Sequence, residues 1–246
     1  MASIPLMYAQ EDCELGGKES MEEDFSYRNN VMNADKEIRL GFVRKVYGLL
    51  SVQLLATVAI AATFHLNKTF FIDILWYARL FMYYIYVQNL QLQLCIFPIS
   101  PLFLLTFLYI FQTVVQAYSV GVVVSYYNTA VVLQALTLTF AVVFSLTVFT
   151  LNTKTDFSFV GYGIFAGLSV LIIGGLLQLF IQSSAFEIAL SFVGAILFSL
   201  FLIFDTQMMM TTLSPEEYIL ATINLYLDII NLFLYILRIL NELNRN

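Results

Sequence analysis

The sequence predicts an all-α integral membrane protein, a bundle of seven helices, and three observations carry that expectation. First, 60% of the 246 residues are hydrophobic and only 11% are charged, with a mean hydropathy of +0.84, whereas a soluble domain carries roughly a quarter charged residues. Second, apolar windows of the length that a bilayer core of roughly 30 Å requires, about 20 residues per helix, recur along the chain. Short polar breaks such as HLNKTF, SYYNTA, NTKTDFS, IQSSAF and TTLSPEE separate them. Third, the windows are continuously apolar and do not alternate as barrel strands do. A helix, which satisfies its backbone groups internally, is the structure such a stretch adopts in lipid.

Taken in order, residues 1–38 form an acidic tail with nine acids and three bases, and residues 39–246, with eight charges of each sign, form the membrane domain. The tail is polar enough to be solvated and unstructured, and the whole net charge of −6 belongs to it. No basic face is left for nucleic acid. The tail lacks the basic end and apolar stretch of a signal peptide, so the first membrane helix is expected to act as the insertion signal. The seven windows run over 45–65, 70–89, 98–120, 129–151, 160–182, 185–210 and 218–240. The second contains Asp73 and Arg79, six residues apart and therefore about 240° around a helix, so the two do not face one another. Before the seventh, Ser214-Pro215-Glu216-Glu217 reads as an N-cap, a first-turn proline and a capping-box glutamate.

Arg39, Arg44 and Lys45 precede the first helix and Lys154 lies between the fourth and fifth. The preference of basic residues for the cytoplasm therefore puts the N-terminus there. Seven full crossings leave Arg238 and Arg245 on the far side, against that preference. A last segment that re-enters the membrane and a buried, central seventh helix both account for its polar content, and the two stay open here.

Ionisable groups inside a membrane span mark functional sites by default. Asp228 lies near the middle of the seventh window, and Asn224, Asn231 and Tyr235 share its helical face at −4, +3 and +7. Such a stripe has to line the bundle interior or a wet cavity. In the sixth window Glu187 and Asp205 are 18 residues apart, five whole turns, on one face shared with Ser191 and Gly194, and roughly 27 Å separates them. Tyr109, Gln112, Thr113 and Gln116 add a polar stripe in the third. Carboxylates and amide oxygens are hard ligands suited to calcium. Two aspartates brought together without a metal cannot both stay charged, so one holds a proton. The competing reading makes Asp205 and Asp228 neutral hydrogen-bonding groups that lock helices together. Glu216 and Glu217 are capping residues that could also guard a pore mouth.

Other chemistries find little support. Cys13 and Cys95 are too few for a disulfide framework, and His65 alone builds no zinc site. The Asn67-Lys68-Thr69 acceptor pattern lies almost against the membrane. An intramembrane enzyme is disfavoured because HExxH, GxSG and GxGD signatures are absent, and very short loops argue against a receptor. A passive cation channel and a membrane interaction protein remain, and no cofactor is expected.

The segments IRLGFVRKVYGLLSVQLLATV at 38–58, VVLQALTLTFAVVFSLTVFT at 131–150 and IFDTQMMMTTLSPEEYILATINLYLDIINLFL at 203–234 resemble the Bax-inhibitor (lifeguard) family. The resemblance covers residues 38–65 and 98–246. Residues 66–97 depart from the family pattern, with LQLCIFPIS where a basic cluster is usual, which leaves the role of Arg79 open. The resemblance implies a Golgi and endoplasmic-reticulum protein that leaks calcium from the store and restrains apoptosis, partnered by calcium and by membrane proteins of cell death or calcium signalling. It implies that Asp205 and Asp228 form a pH-sensitive calcium gate and are the calcium ligands. Glu187 and Glu216 match acidic positions linked with ion conduction, and Asn224 and Asn231 flank the same pathway.

Overall fold

The computed structural model describes residues 31–33, 36–66, 101–153, 155, 157 and 160–245. Among these the chain is all-helical. A 3-10 turn, η1 (Val31–Asn33), precedes six α-helices: α1 (Lys36–Leu66), α2 (Pro101–Ser125), α3 (Thr129–Asn152), α4 (Val160–Ile181), α5 (Ser184–Thr211) and α6 (Tyr218–Arg245). Five of them, α1 and α3 to α6, are long and apolar enough to cross a membrane. The protein is therefore a multi-pass membrane protein. The expected window at 70–89, with Asp73 and Arg79, lies outside the described residues.

The direction of each helix follows from its contacts. Tyr109 donates to the Leu49 carbonyl and Gln53 to Thr113, and Gly121 lies against Ala61 and Phe64, so α1 and α2 run parallel. Leu66 and Pro101 consequently lie at opposite ends of the bundle. The α2–α3 and α4–α5 connections are tight reversals. Tyr126 and Tyr127 bond back to Val123 and Val124, and Gln182, with φ of 49°, turns the chain from α4 into α5 within two residues. The end at which α1 begins, the near end, also receives the C-termini of α3 and α5. The far end receives the C-terminus of α6.

Large apolar side chains point outward along the helices, among them Phe140, Phe165 and Phe180, as a lipid-facing surface requires. The hydroxyls of Ser119, Thr139, Ser145 and Ser199 bond to the carbonyl four residues back, which hides a polar group that lipid cannot satisfy. The exception to this outward-facing pattern is α6. It packs against α1, α2, α3 and α5, and 61% of its apolar window is buried, against 17–28% for the other four spans. The central last helix is thus observed. It is a single unbroken helix of 28 residues, about 42 Å long at 1.5 Å per residue, with no reversal between its ends.

The near end is closed by local structure. The Ser214 amide donates to Glu217 Oε2 at 2.9 Å, the expected capping-box bond, although the α-helix proper starts at Tyr218 after a turn. Gln207 grips the α3–α4 connection from both sides, accepting from the Phe157 amide and donating to the Thr155 carbonyl. Helix α1 already starts at Lys36, and Val31 is fully buried, its amide bonded to the Leu213 carbonyl in the α5–α6 turn. The apolar Val31 follows the acidic run and finds a place in the core.

A polar layer that the sequence reading did not assemble ties α1 to α6. The Tyr226 hydroxyl, fully buried, pairs with Thr57 at 2.7 Å, and Thr57 also donates to the Gln53 carbonyl. With that proton already directed to a backbone carbonyl, Tyr226 must be the donor in the pair. Tyr226→Phe is expected to lower stability by about 1 kcal/mol, the net value of one such bond, read as a lower thermal unfolding midpoint in detergent. An unchanged midpoint would show that the pair adds nothing.

Candidate functional site

The seam between α5 and α6 holds the two aspartates. The helices are antiparallel, and this register brings Asp205 and Asp228 within hydrogen-bonding reach of each other. Asp228 is only 5% exposed, and its Oδ2 has no hydrogen-bond partner. Asp205 is half-buried, and no basic side chain among the described residues offsets either charge. On the near-end side, the Tyr47 hydroxyl of α1 faces Thr147 of α3 and Thr206 of α5. The Tyr47 and Thr206 hydroxyls also lack well-formed partners. Helices α1, α5 and α6 thus each bury an oxygen atom with unused capacity. In a bundle surrounded by lipid, such groups are the ones that a water, a proton or a cation completes.

The other expected residues divide. Asn224 and Asn231 flank Asp228 on α6 and are half-buried, and the Asn231 amide donates to the Leu227 carbonyl of its own helix at 2.9 Å. Glu187 lies in the first turn of α5 at the far end, near Arg238 and Glu242 of α6. These three act together on Tyr127, in the α2–α3 turn. Burial pushes its hydroxyl above the ordinary tyrosine value, Arg238 opposes this, and Glu187 and Glu242 reinforce it. Glu216 is exposed in the turn before α6, at the near end. The two glutamates thus sit at opposite ends of the bundle, with the aspartate pair between them.

The stripe expected on α2 is redirected. Tyr109 and Thr113 engage α1 through Leu49 and Gln53 instead of joining the aspartates, because α2 packs parallel to α1 along that face. Gln53 Oε1 and Gln112 Nε2 have no partner. Sequence reading missed the meeting of Tyr47 with Thr206, one residue along α5 from Asp205. Thr206 adjoins Asp205 and could have been suspected, whereas Tyr47 is joined to it only by the packing of α1.

A helical membrane bundle with a facing carboxyl pair, one member buried and the other half-buried, on its last two helices is the class defined by this geometry. Residues 39–246 match the family described as "Inhibitor of apoptosis-promoting Bax1", and the chain belongs to that family. It is 41% identical over 236 residues to the "Golgi anti-apoptotic protein" of Vaccinia virus (strain Lister), covering 94% of this chain and 98% of the relative. It is 40% identical over 235 residues to "Protein lifeguard 4" of Mus musculus, covering 93% and 96%. "Bax inhibitor 1" of Schizosaccharomyces pombe is 30% identical over 252 aligned positions, covering 100% and 92%.

Proposed function

We propose that this protein is a pH-sensitive calcium leak channel of Golgi and endoplasmic-reticulum membranes that lowers store calcium and so restrains apoptosis. The observation that carries the reading is the facing pair of half-buried Asp205 and buried Asp228, without a compensating cation among the described residues. Two carboxylates this close in an apolar interior are stable when they share one proton, and they hold α5 to α6 in that state. Loss of the proton leaves two like charges, which separate or accept a cation between them. Calcium takes six to eight oxygens. Among the described residues no three acidic, histidine or cysteine side chains converge. The remaining oxygens would come from neutral groups and from water, which suits weak binding and passage better than storage.

The same reading keeps the expected count of seven crossings. It places the N-terminal tail, with Arg39, Arg44 and Lys45, in the cytoplasm, and the Arg238 end in the lumen. The Golgi assignment draws on the named viral relative.

The test is calcium flux into liposomes carrying the purified protein, measured from roughly pH 5 to 8, the range in which maximal protein stability tends to lie. Asp205→Asn is expected to remove most of the pH response while leaving the protein folded. Absence of flux from folded wild type at every pH would sink the channel reading. A non-conducting protein that acts through other membrane proteins of cell death would then take its place.

A further inference from the structure

Between the aspartate pair and the far end, aromatic rings fill the α5–α6 seam. Phe198 and Tyr235 lie seven residues from Asp205 and Asp228 respectively, both toward the far end. They occupy the same seam two turns away, about 10 Å at 1.5 Å per residue. Their rings stack at 5.6 Å between centroids, inclined by 24°, and Phe201 stacks on Phe198 at 5.4 Å. The Arg238 guanidinium lies 5.7 Å from the Tyr235 ring centre. Leu202, 2% exposed, fills the layer between rings and aspartates. Tyr235 fits because position 194 is glycine: a Cβ there would come within 2.5 Å of the ring.

We propose that the Phe198–Tyr235 stack, seated on the notch at Gly194, is the barrier that closes the ion path between the aspartate pair and the Arg238 end. Close-packed rings leave no room for a hydrated ion, and an apolar constriction excludes water until it widens. The ring has discrete rotamers, so movement out of the notch is a step and not a gradual slide. Separation of α5 from α6 at the aspartates would loosen the stack two turns away. The inference rests on the channel reading for its function, but the closure itself can be measured without ion flow.

Two readouts are combined on the full-length protein in liposomes. One is calcium flux in Tyr235→Ala, Phe198→Leu and Tyr235→Phe. The other is the labelling rate of Asn231→Cys, between the rings and Asp228, by a membrane-impermeant methanethiosulfonate on both faces, with Cys13 and Cys95 replaced by serine. In Tyr235→Ala, flux and labelling are both expected to rise on the order of tenfold, the ratio produced by about 1.4 kcal/mol. The response of flux to pH is retained because the aspartates are untouched. Phe198→Leu, a milder change that keeps the core filled, is expected to show a smaller rise, and Tyr235→Phe to stay at the wild-type level. Unchanged labelling in both folded Tyr235→Ala and folded Phe198→Leu overturns the barrier. Raised labelling without flux in any variant supports the barrier and removes the channel reading.

Discussion

Asp228→Asn is expected to give a folded protein whose calcium flux no longer responds to pH. Asparagine has the size of aspartate, and its amide can donate to Asp205 where the shared proton did, so the α5–α6 seam stays bridged without a titrating partner. One proton gives at most about a tenfold change per pH unit, which bounds the wild-type response. The variant should be flat to within about twofold across the same range by that argument. The measurement is flux into liposomes at matched protein density, with the unfolding midpoint in detergent as the check on folding. A variant that keeps the full pH response would move the sensor away from this pair. Asp228→Ala is a poorer test, because it deletes the bridge as well as the proton and leaves a cavity beside Asp205.

The second large effect concerns Gly194. Alanine there would place a Cβ 2.5 Å from Cε1 of Tyr235, with two further ring atoms at 2.6 Å. The ring is held between this glycine and Phe198 and cannot yield by bending. Overpacking of that kind costs about 1–3 kcal/mol, so Gly194→Ala should unfold at a clearly lower temperature. Three other glycines supply the comparison. At Gly167 and Gly174 the clash, at 2.6 Å, is with one Cδ of Leu197 or Leu190, the far end of a flexible side chain, and the expected loss is below about 1 kcal/mol. At Gly175 nothing lies within 4 Å, and alanine should be neutral or stabilising by up to about 1 kcal/mol through helix propensity. A series in which Gly194→Ala is no worse than Gly175→Ala would refute the close approach of α5 and α6.

Much of this architecture is legible in the order of the residues. The windows at 129–151, 160–182 and 185–210 coincide within one or two residues with α3, α4 and α5, because lipid enforces both length and composition on a crossing. Asp228 and Asp205 stand out because an acid in such a window has to be used. The first helix begins nine residues before its apolar window, at Lys36, since a helix can run on past its apolar stretch into turns that need not be apolar.

The medium, the helical class, most of the helix positions and the two aspartates are thus written in the chain itself. Each follows from the energy of single groups in lipid, which is local. Which polar stripes meet is a matter of packing. Helical periodicity states that Tyr109 and Thr113 share a face but not that the face turns to α1, and it cannot bring Tyr47 to Thr206 or Tyr226 to Thr57 across more than 150 residues. Nor does it show that Gly194 is a notch for a ring on another helix. Those pairings depend on the crossing and register of neighbouring helices, a property of the packed bundle that no single segment carries.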